Sequence, residues 1–303
     1  MLKFLKNKSI DFFLVFRAHV KEYSLVNIFN PCFKDIDDHI FISFRAIDAN
    51  DINEKILSYL YCYKKREGTF EIRNLSAIAM RHQIPSLADP KLVSLHNKLW
   101  LTFNSGWSKT ENKIFIWGLD ALEKPPLECQ YGGRNVIEKN WAFYSSGSSD
   151  SNVKVLYAAD TMQVLDAEFR SDVNSVLITN RNPLYVPKKG LRGYTIGSQI
   201  VNHDGAQYFM VHKKIVFRKK RLYLGRLAKI VVAGDDRKIV LSKHFFSHSF
   251  FSLFGAEKKH NKNLISCSYF SGLDIVNNEI IVSYGINDVD CNISNLGEGI
   301  QWI

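Results

Sequence analysis

The sequence predicts an all-β fold, a five-bladed β-propeller formed by residues 1–303 as one domain. Three observations predict it. The composition favours strands, with 46% apolar and 13% aromatic residues. One apolar segment recurs five times, and a second strand-like segment precedes each copy. Repeated strand-hairpin units with a long period are typical of propeller blades.

The recurring segment has a polar turn, an apolar or aromatic strand, and a polar residue near the strand end. From each copy to the next along the chain, the central residue recurs after 59, 56, 52 and 73 residues. Asn, Asp and Gly before each strand favour tight turns. The copies are DDHIFISFR (37–45), HNKLWLTFN (96–104), SNVKVLYAAD (151–160), DGAQYFMVHK (204–213) and NNEIIVSYG (277–285).

The preceding segment completes a hairpin with each copy, so each blade is expected to open with it. These segments are NIFNPCF (27–33), LADPKLVSL (87–95), IEKNWAFYS (137–145), LRGYTIGSQ (191–199) and CSYFSGLDIV (267–276). The alternative is an irregular β-sandwich whose strands merely look alike. No long helical period stands out, and residues 50–66 fit a short helix or a strand.

In a propeller the innermost strands line the central channel, so their first residues lie close together at one end of that channel. The opening segments contribute polar residues there: Asn30, Asp89, Lys139, Asn140, Arg192, Thr195 and Ser271. The ends of the second strands add Arg45, Asn104, Asp160, His212 and Asp288. Each alone also fits a turn residue, a solvated charge or a core histidine. Their shared position in the repeat favours a common site.

Composition limits the partners. The formal net charge of +10 favours nucleic acid, an anionic membrane surface or a phosphorylated small molecule. Five widely spaced cysteines predict neither a zinc site nor a disulfide framework, and they fit a reducing cytoplasm. The longest apolar run near the N-terminus, Phe12 to Phe16, is too short for a signal peptide or a membrane span.

Four short motifs resemble glycoside hydrolase family 130, the mannoside phosphorylases, and related β-mannosyltransferases. Residues 88–93 and 98–103 resemble the family's "EDPR" segment and the strand after it. Residues 43–45 resemble its "FR" element, and residues 138–141 its "KN" element. Residues 284–288, Tyr284 to Asp288, resemble its late "YGAAD" element. The matches keep the family's order and span residues 43 to 288.

The resemblance implies a five-bladed propeller with a carbohydrate in its funnel. Carried over, Asp89 is the general acid, Arg45 and Lys139 hold phosphate, and Asp288 holds the sugar. Tyr284 joins the substrate-binding set. The chain departs from the family at Ala88, where Glu is usual, and at Lys91, where Arg is usual.

A glycosidase generally needs two carboxylates flanking the scissile bond. In five-bladed hydrolases similar to families 43 and 32 a Glu opens a later blade, but here the fourth blade opens with residues 191–195 and the fifth has no acid before Asp274. Arg45, Lys139, Arg192 and His212 supply positive charge instead, which suits a phosphate-bearing partner. The favoured interpretation is a glycosyltransferase, β-mannosyl-like, that takes a sugar phosphate or nucleotide sugar and a glycan acceptor. The alternatives are a β-mannoside phosphorylase and a non-enzymatic carbohydrate-binding propeller. No cofactor and no metal are expected.

The segment KKIVFRKKRLYLGR (213–226) carries seven cations and no acid. It contains no RNA-binding motif, so nucleic acid is not the expected partner. The sequence predicts a cytoplasmic protein in which this strip is either a solvated strand face or a peripheral contact with the anionic inner face of a membrane.

Overall fold

The computed structural model describes residues 2–5, 8–106, 111–146, 153–170, 172–180, 191–233, 236–255 and 257–303. These residues form mostly β-strands, as predicted. The strands fall into five successive antiparallel units, each beginning with one of the predicted hairpins. Ser151 and Asn152 of the third copy lie outside the described residues.

Units one to three each contain four strands in sequential order. Unit one comprises β2 (Leu25–Ile36), β3 (His39–Asp48), β4 (Ile56–Lys64) and β5 (Thr69–Asn74). Unit two comprises β6 (Ala88–Leu95), β7 (Lys98–Asn104), β8 (Ile114–Gly118) and β9 (Leu127–Gln130). Unit three comprises β10 (Ala142–Ser145), β11 (Val153–Ala158), β12 (Gln163–Arg170) and β13 (Ser175–Thr179).

In unit four the first strand is split in two. β14 (Tyr194–Ile196) and β15 (Val201–His203) both pair with β16 (Ala206–Phe217), which is followed by β17 (Lys220–Ala233) and β18 (Asp236–Ser247). Unit five comprises β19 (Leu264–Val276), β20 (Glu279–Ile286) and β21 (Asp290–Asn295). The ambiguous segment 50–66 contains strand β4.

The N-terminal segment runs along the outer strands. β1 (Leu2–Phe4) pairs in parallel with β18, and Ser9 bridges to Ser294 of β21. Helix α1 (Phe12–Glu22), which the sequence analysis did not predict, follows. Phe13, Phe16 and Val20 lie on its buried face, at helical spacing. The second helix is α2 (Leu75–Arg81), and no described helix has the length and hydropathy to cross a bilayer.

Local turn chemistry accounts for the hairpins. Three of the five opening hairpins close through two residues that both have positive φ, the requirement of a type I′ turn. These pairs are His96–Asn97, Asp204–Gly205 and Asn277–Asn278. Asn, Asp and Gly adopt this region most easily, which is why the turns were visible in the sequence.

Five hydrophobic clusters hold the units together, one at each junction. Each cluster contains core residues from two successive units, such as Leu60 and Leu92, Val93 and Phe143, Tyr144 and Phe209, Met210 and Phe270, and Phe33 and Ile293. The last pair joins unit five to unit one. The five described units therefore follow one another around a closed circle.

Candidate functional site

The first strand of each unit is irregular at the same level. In a strand, a bulge or break re-aims a side chain away from the ladder. The register shifts around Asn30–Pro31 in β2, around Asp89–Pro90 in β6 and at Ser271 in β19. In unit three, Asn140 stands just before β10, and in unit four the gap at 197–200 separates β14 from β15.

Polar contacts between neighbouring units concentrate at this level. They run from Ser43 Oγ to the Pro90 carbonyl (2.9 Å), Lys91 Nζ to Asn140 Oδ1 (3.0 Å), Phe143 N to Gln199 Oε1 (2.6 Å), Phe270 N to His212 Nε2 (2.7 Å) and Ser271 Oγ to the Pro31 carbonyl (2.6 Å). Each links one unit to the next, and the last closes the circle. The irregular segments therefore converge on the centre of the molecule.

Asp89 lies among these segments with a left-handed backbone, φ 51°. Its Oδ1 accepts a hydrogen bond from Asn30 Nδ2 (3.1 Å) and lies 3.4 Å from Arg45 Nη1. Burial raises the pKa of the Asp89 carboxyl, but the charges of Arg45, Lys139 and Lys91 outweigh it. The net effect is a pKa below the ordinary value, so Asp89 is ionised in the free protein.

Arg45 projects from β3, opposite Phe29 of β2. Its guanidinium carbon lies 5.3 Å from the centre of the Phe29 ring, and its side chain is 22% exposed. Its buried Nε has no acceptor among the described residues. Because the Asp89 contact uses only one nitrogen, the guanidinium retains donors for an additional oxygen-bearing group.

Lys91 is almost fully buried and points across the centre from unit two. Its Nζ donates to Asn140 Oδ1 and lies 5.8 Å from the centre of the Tyr269 ring. Burial lowers the pKa of the Lys91 ammonium to about 8, although Asp89 opposes the change. A lysine with such a pKa exchanges protons close to neutral pH, as general acids and bases do.

Asn140 is fixed by two donors on one oxygen. Its Oδ1 accepts from Lys91 Nζ and from the Tyr269 hydroxyl (2.6 Å). Lys Nζ can only donate, so the amide oxygen must face it. The amide nitrogen of Asn140 therefore faces the other way, and it makes no hydrogen bond to the described residues.

Lys139 and Asp288 are near enough to Asp89 to affect it electrostatically without touching it. Lys139 is exposed, and its charge lowers the pKa of Asp89. Asp288 follows β20 with φ 58°. Burial and the charge of Asp89 raise the pKa of the Asp288 carboxyl. The charges of Arg45, His260 and Arg221 act to lower it. The two carboxyls thus have pKa values displaced in opposite directions, the pattern of an acid–base pair.

Of three further predicted residues, Asn104 lies beside this group, while Arg192 and Thr195 make no hydrogen bond or ion pair with it among the described residues. Asn104 is buried, donates from Nδ2 to the Ala88 carbonyl (3.2 Å) and accepts from Gly106 N (3.0 Å). It therefore fixes the backbone next to Asp89. Arg192 and Thr195 are exposed at the start of unit four. The Arg192 carbonyl accepts from Lys213 Nζ (2.7 Å), and no described residue contacts its guanidinium.

His212 and Tyr284 are both buried. His212 lies in the middle of β16 rather than at a strand end, with its ring stacked on Tyr269 at 4.5 Å. Burial lowers its pKa to about 3, so it is neutral and accepts from Phe270 N. Tyr284 packs against Phe270 in the unit-five core, and its hydroxyl meets Ser294 Oγ at 3.2 Å. Neither side chain offers an accessible polar group to a ligand.

Asp160 and Ser271 have similarly local positions. Asp160 follows β11 in the turn before β12, and Ser271 donates to the Pro31 carbonyl within the buried centre. Lys91 and Tyr269 were not among the site residues predicted from the sequence. Lys91 directly follows Asp89–Pro90 in the sequence, and Tyr269 belongs to the opening segment of unit five. Nothing in the sequence indicated that both side chains reach Asn140.

The resulting group contains Asn30, Arg45, Asp89, Lys91, Asn140 and Tyr269, with Lys139 and Asp288 at its margin. We call it the Asp89 cluster. A small recess beside it is lined by Asp89, Lys91, Thr102, Asn104, Asn140 and Gln199, among others. No group of described His, Cys, Asp and Glu residues is arranged to hold a metal ion. The cluster has an ionised carboxylate among cations, so it can exchange a proton next to a bound anion.

Comparisons with known proteins give similarity in structure only. No protein-family model matches the sequence, and no curated protein matches it. A protein from Bacteroides thetaiotaomicron described as a glycosidase superposes with a TM-score of 0.61 at 11% identity, covering 90% of this chain and 87% of that one. The β-1,2-mannobiose phosphorylase from Listeria innocua gives 0.54 at 9% identity, covering 90% of each chain.

A third structure comes from the family 130 mannoside phosphorylases, a family reported to contain glycoside hydrolases that target β-1,2 mannosidic linkages in Candida mannan. It gives a TM-score of 0.57 at 10% identity, covering 97% of this chain and 90% of that one. Structures of this kind are five-bladed propellers. The chain is therefore similar in fold to the mannoside phosphorylases of glycoside hydrolase family 130 and to the Bacteroides glycosidase-like proteins.

Proposed function

We propose that the five units are the blades of one β-propeller and that the Asp89 cluster is the active site of a carbohydrate-active enzyme. The activity that the cluster supports best is phosphorolysis of a β-mannoside. One observation carries the proposal: an ionised carboxylate, Asp89, is surrounded by the charges of Arg45, Lys139 and Lys91. The fold similarity to mannoside phosphorylases supports it.

Phosphate is the substrate that this charge pattern favours. Arg45 has unused guanidinium donors, and Lys139 is exposed and free to reach an anion. Hydrogen bonds between such cations and phosphate oxygens are charge-assisted and strong. The cations Arg45, Lys91 and Lys139 outnumber the carboxyls Asp89 and Asp288, so the positive charge of the cluster exceeds its negative charge and another anion is accommodated.

Phosphate would also prepare Asp89 for its task. The free carboxyl is ionised because Arg45, Lys139 and Lys91 favour the charged form. A phosphate anion shared by Arg45 and Lys139 would offset that influence and raise the pKa of Asp89. Asp89 would then take up a proton when phosphate binds, and could donate it as a general acid.

In the reaction, a phosphate oxygen forms a bond to the anomeric carbon while the glycosidic C–O bond breaks. The departing oxygen receives the proton of Asp89, directly or through a sugar hydroxyl. The products are a sugar 1-phosphate and a glycan one sugar shorter. Asp288, whose carboxyl is half-buried and close to Asp89, is placed in this proposal on the sugar hydroxyls.

A glycosyltransferase is the second candidate, and the same carboxylate favours it. An ionised Asp89 is ready to act as a general base that removes the proton of an acceptor hydroxyl. The phosphate of a sugar phosphate or the diphosphate of a nucleotide sugar would then lie on Arg45 and Lys139. The two candidates use the same residues and differ in the donor and in the direction of proton transfer.

The deciding experiment incubates purified protein with β-1,2-, β-1,3- and β-1,4-linked mannobiose, with and without inorganic phosphate. Phosphorolysis predicts mannose 1-phosphate only when phosphate is present. A parallel panel of nucleotide sugars with mannose acceptors detects transfer.

Three other outcomes would each indicate a different function. Release of free mannose without phosphate would identify a hydrolase. Consumption of a nucleotide sugar with phosphate inert would identify the transferase. Glycan binding by calorimetry with no turnover in any reaction would leave a carbohydrate-binding propeller.

A further inference from the structure

We propose that the hairpin joining β16 to β17, residues 213–221, docks on an anionic lipid bilayer surface. It combines an exposed apolar tip with a dense set of cations. The proposal is independent of the reaction catalysed, since it concerns only where the protein binds.

The tip exposes three consecutive apolar residues. Ile215 is 42% exposed, Val216 59% and Phe217 60%. Alternate residues of a strand face opposite sides, so a strand packed on the body would bury one of any two neighbours. Exposure of all three shows that both faces of the hairpin are uncovered at its tip, while its base is hydrogen-bonded to unit five from Arg221 N to the Asn263 carbonyl.

The apolar tip is framed by positive charge. The cations of the arm are Lys213, Lys214, Arg218, Lys219, Lys220 and Arg221. No Asp or Glu occurs in residues 205–233. Arg218 lies over the Phe217 ring at 5.3 Å, and no carboxylate of the described residues pairs with any cation of the arm. Arg221, at the base of the arm, interacts electrostatically with Asp288, so the uncompensated positive charge around the apolar end comes from the other cations of the arm.

The arm extends from the Asp89 cluster. His212, the residue before it, stacks on Tyr269, whose hydroxyl bonds Asn140. Lys213 then pairs with Tyr194, where the first strand of unit four begins. The four residues from Lys214 to Phe217 add about 13 Å of strand beyond that point. A bilayer bound at the tip would therefore lie beyond the level of His212 and Tyr269, in the direction in which β16 runs.

A second group of exposed aromatic residues lies at the same end of unit four. Phe246 of β18 pairs with Gly225 of β17, so β18 ends on the hairpin side. The short helical turn Phe251–Phe254 follows it. Phe250 is 54% exposed, Phe251 66% and Phe254 71%. Exposed large apolar side chains gathered at one end indicate a surface that is covered in function.

A bilayer explains both features of the arm. Cations near an anionic lipid surface and aromatic or aliphatic side chains at the headgroup boundary act together in peripheral binding. A nucleic acid would satisfy the cations and leave Ile215, Val216 and Phe217 in water. An acidic protein would also leave the tip without an apolar partner unless it carried a matching pocket.

The test measures co-sedimentation with phosphatidylglycerol-containing vesicles and with pure phosphatidylcholine vesicles. We expect binding to the anionic vesicles that weakens with added salt. Neutralising two cations, Lys219→Ala with Lys220→Ala, should weaken binding about 25-fold, because each cation contributes about fivefold. Val216→Ser with Phe217→Ser should weaken it about tenfold or more, because apolar insertion is lost.

The matched control is the β4–β5 turn, Lys65→Ala with Arg66→Ala. It removes the same charge from another exposed hairpin, but its cations are paired with Asp35 and Asp38. We expect less than a twofold change. All three variants should keep the melting temperature of the parent, since the altered residues are on the surface.

Three results would overturn the proposal. One is no binding to anionic vesicles at low salt. Another is equal loss in the control, which would mean a response to net charge alone. The third is unchanged binding after Val216→Ser with Phe217→Ser, particularly if single-stranded RNA competes, which would identify the arm as a polyanion site.

Discussion

The side-chain amide of Asn30 donates to the carboxylate of Asp89 across the junction of units one and two, at 3.1 Å. Both residues have left-handed backbones, φ 50° and 51°, and both precede a proline. A residue before proline is driven toward extended conformations, so this arrangement costs of order 1–3 kcal/mol at each position. Backbone strain repeated at equivalent bulges is typical of a functional site.

Gly285 is the residue that allows this arrangement. A Cβ on Gly285 would lie 2.4 Å from Asn30 Oδ1 and 2.7 Å from Asn30 N. Gly285→Ala should therefore displace Asn30, lower the free energy of unfolding by about 1–3 kcal/mol and reduce turnover. Chemical denaturation and the phosphorolysis assay measure the two effects. Gly132→Ala, which meets no atom within 4 Å, is the control and should be neutral.

Asp89→Asn tests the proposed acid–base residue. The amide keeps an oxygen for Asn30 Nδ2 but cannot exchange the proton, so turnover should fall about 10²- to 10⁴-fold with the fold intact. Steady-state kinetics and circular dichroism report the two properties. Asp120→Asn, at an exposed pair with Lys98, should leave turnover unchanged. Near-normal turnover of Asp89→Asn would remove Asp89 from the mechanism.

Arg45→Ala tests the phosphate site. Loss of a charge-assisted hydrogen bond costs roughly 1.5–3 kcal/mol, so the KM for phosphate should rise about 10- to 100-fold. The KM for the glycan should change much less. Lys139→Ala should also raise the KM for phosphate, but by a smaller factor, because Lys139 is exposed. Arg66→Ala, on the surface, is the control. Equal increases in both KM values would argue against a phosphate role.

Lys91 gives a pH dependence of stability. Its pKa is lowered to about 8 in the folded protein, so between pH 8 and its ordinary pKa near 10.5 the unfolded chain binds more protons. Stability contributed through Lys91 therefore rises with pH in that window, by roughly 3 kcal/mol in total. Because tyrosines and cysteines also titrate there, the quantity to measure is the unfolding free energy of wild type minus that of Lys91→Met. A difference that is flat from pH 8 to 10.5 would contradict the assignment.

Much of the fold could be predicted because its signals are local. Each hairpin is marked by Asn, Asp or Gly at its turn and by apolar residues on both sides, and those features are read from neighbours in sequence. Strand β4 was ambiguous because residues 50–66 contain both apolar pairs and charges. Helix α1 was missed because Phe12 to Phe16 form a continuous apolar run, which hides the spacing of Phe13, Phe16 and Val20.

The residues around Asp89 were predicted less completely than the fold. Asn30, Arg45, Asp89 and Asn140 do come together in the structure, while the functional roles of all these residues stay predictions. His212 and Tyr284 have the right place in the repeat but are buried, since position along a strand does not say on which face a side chain lies. Lys91 and Tyr269 were not predicted members.

By itself the sequence determined the five hairpins and their order, because turn geometry and strand alternation depend on a few adjacent residues. Only the tertiary structure decided which polar groups meet. Lys91 and Tyr269 lie 49 and 129 residues from Asn140 along the chain, yet both donate a hydrogen bond to its Oδ1. That meeting exists only in the folded chain, where the charges of Arg45, Lys139 and Lys91 lower the pKa of Asp89 and burial lowers the pKa of Lys91.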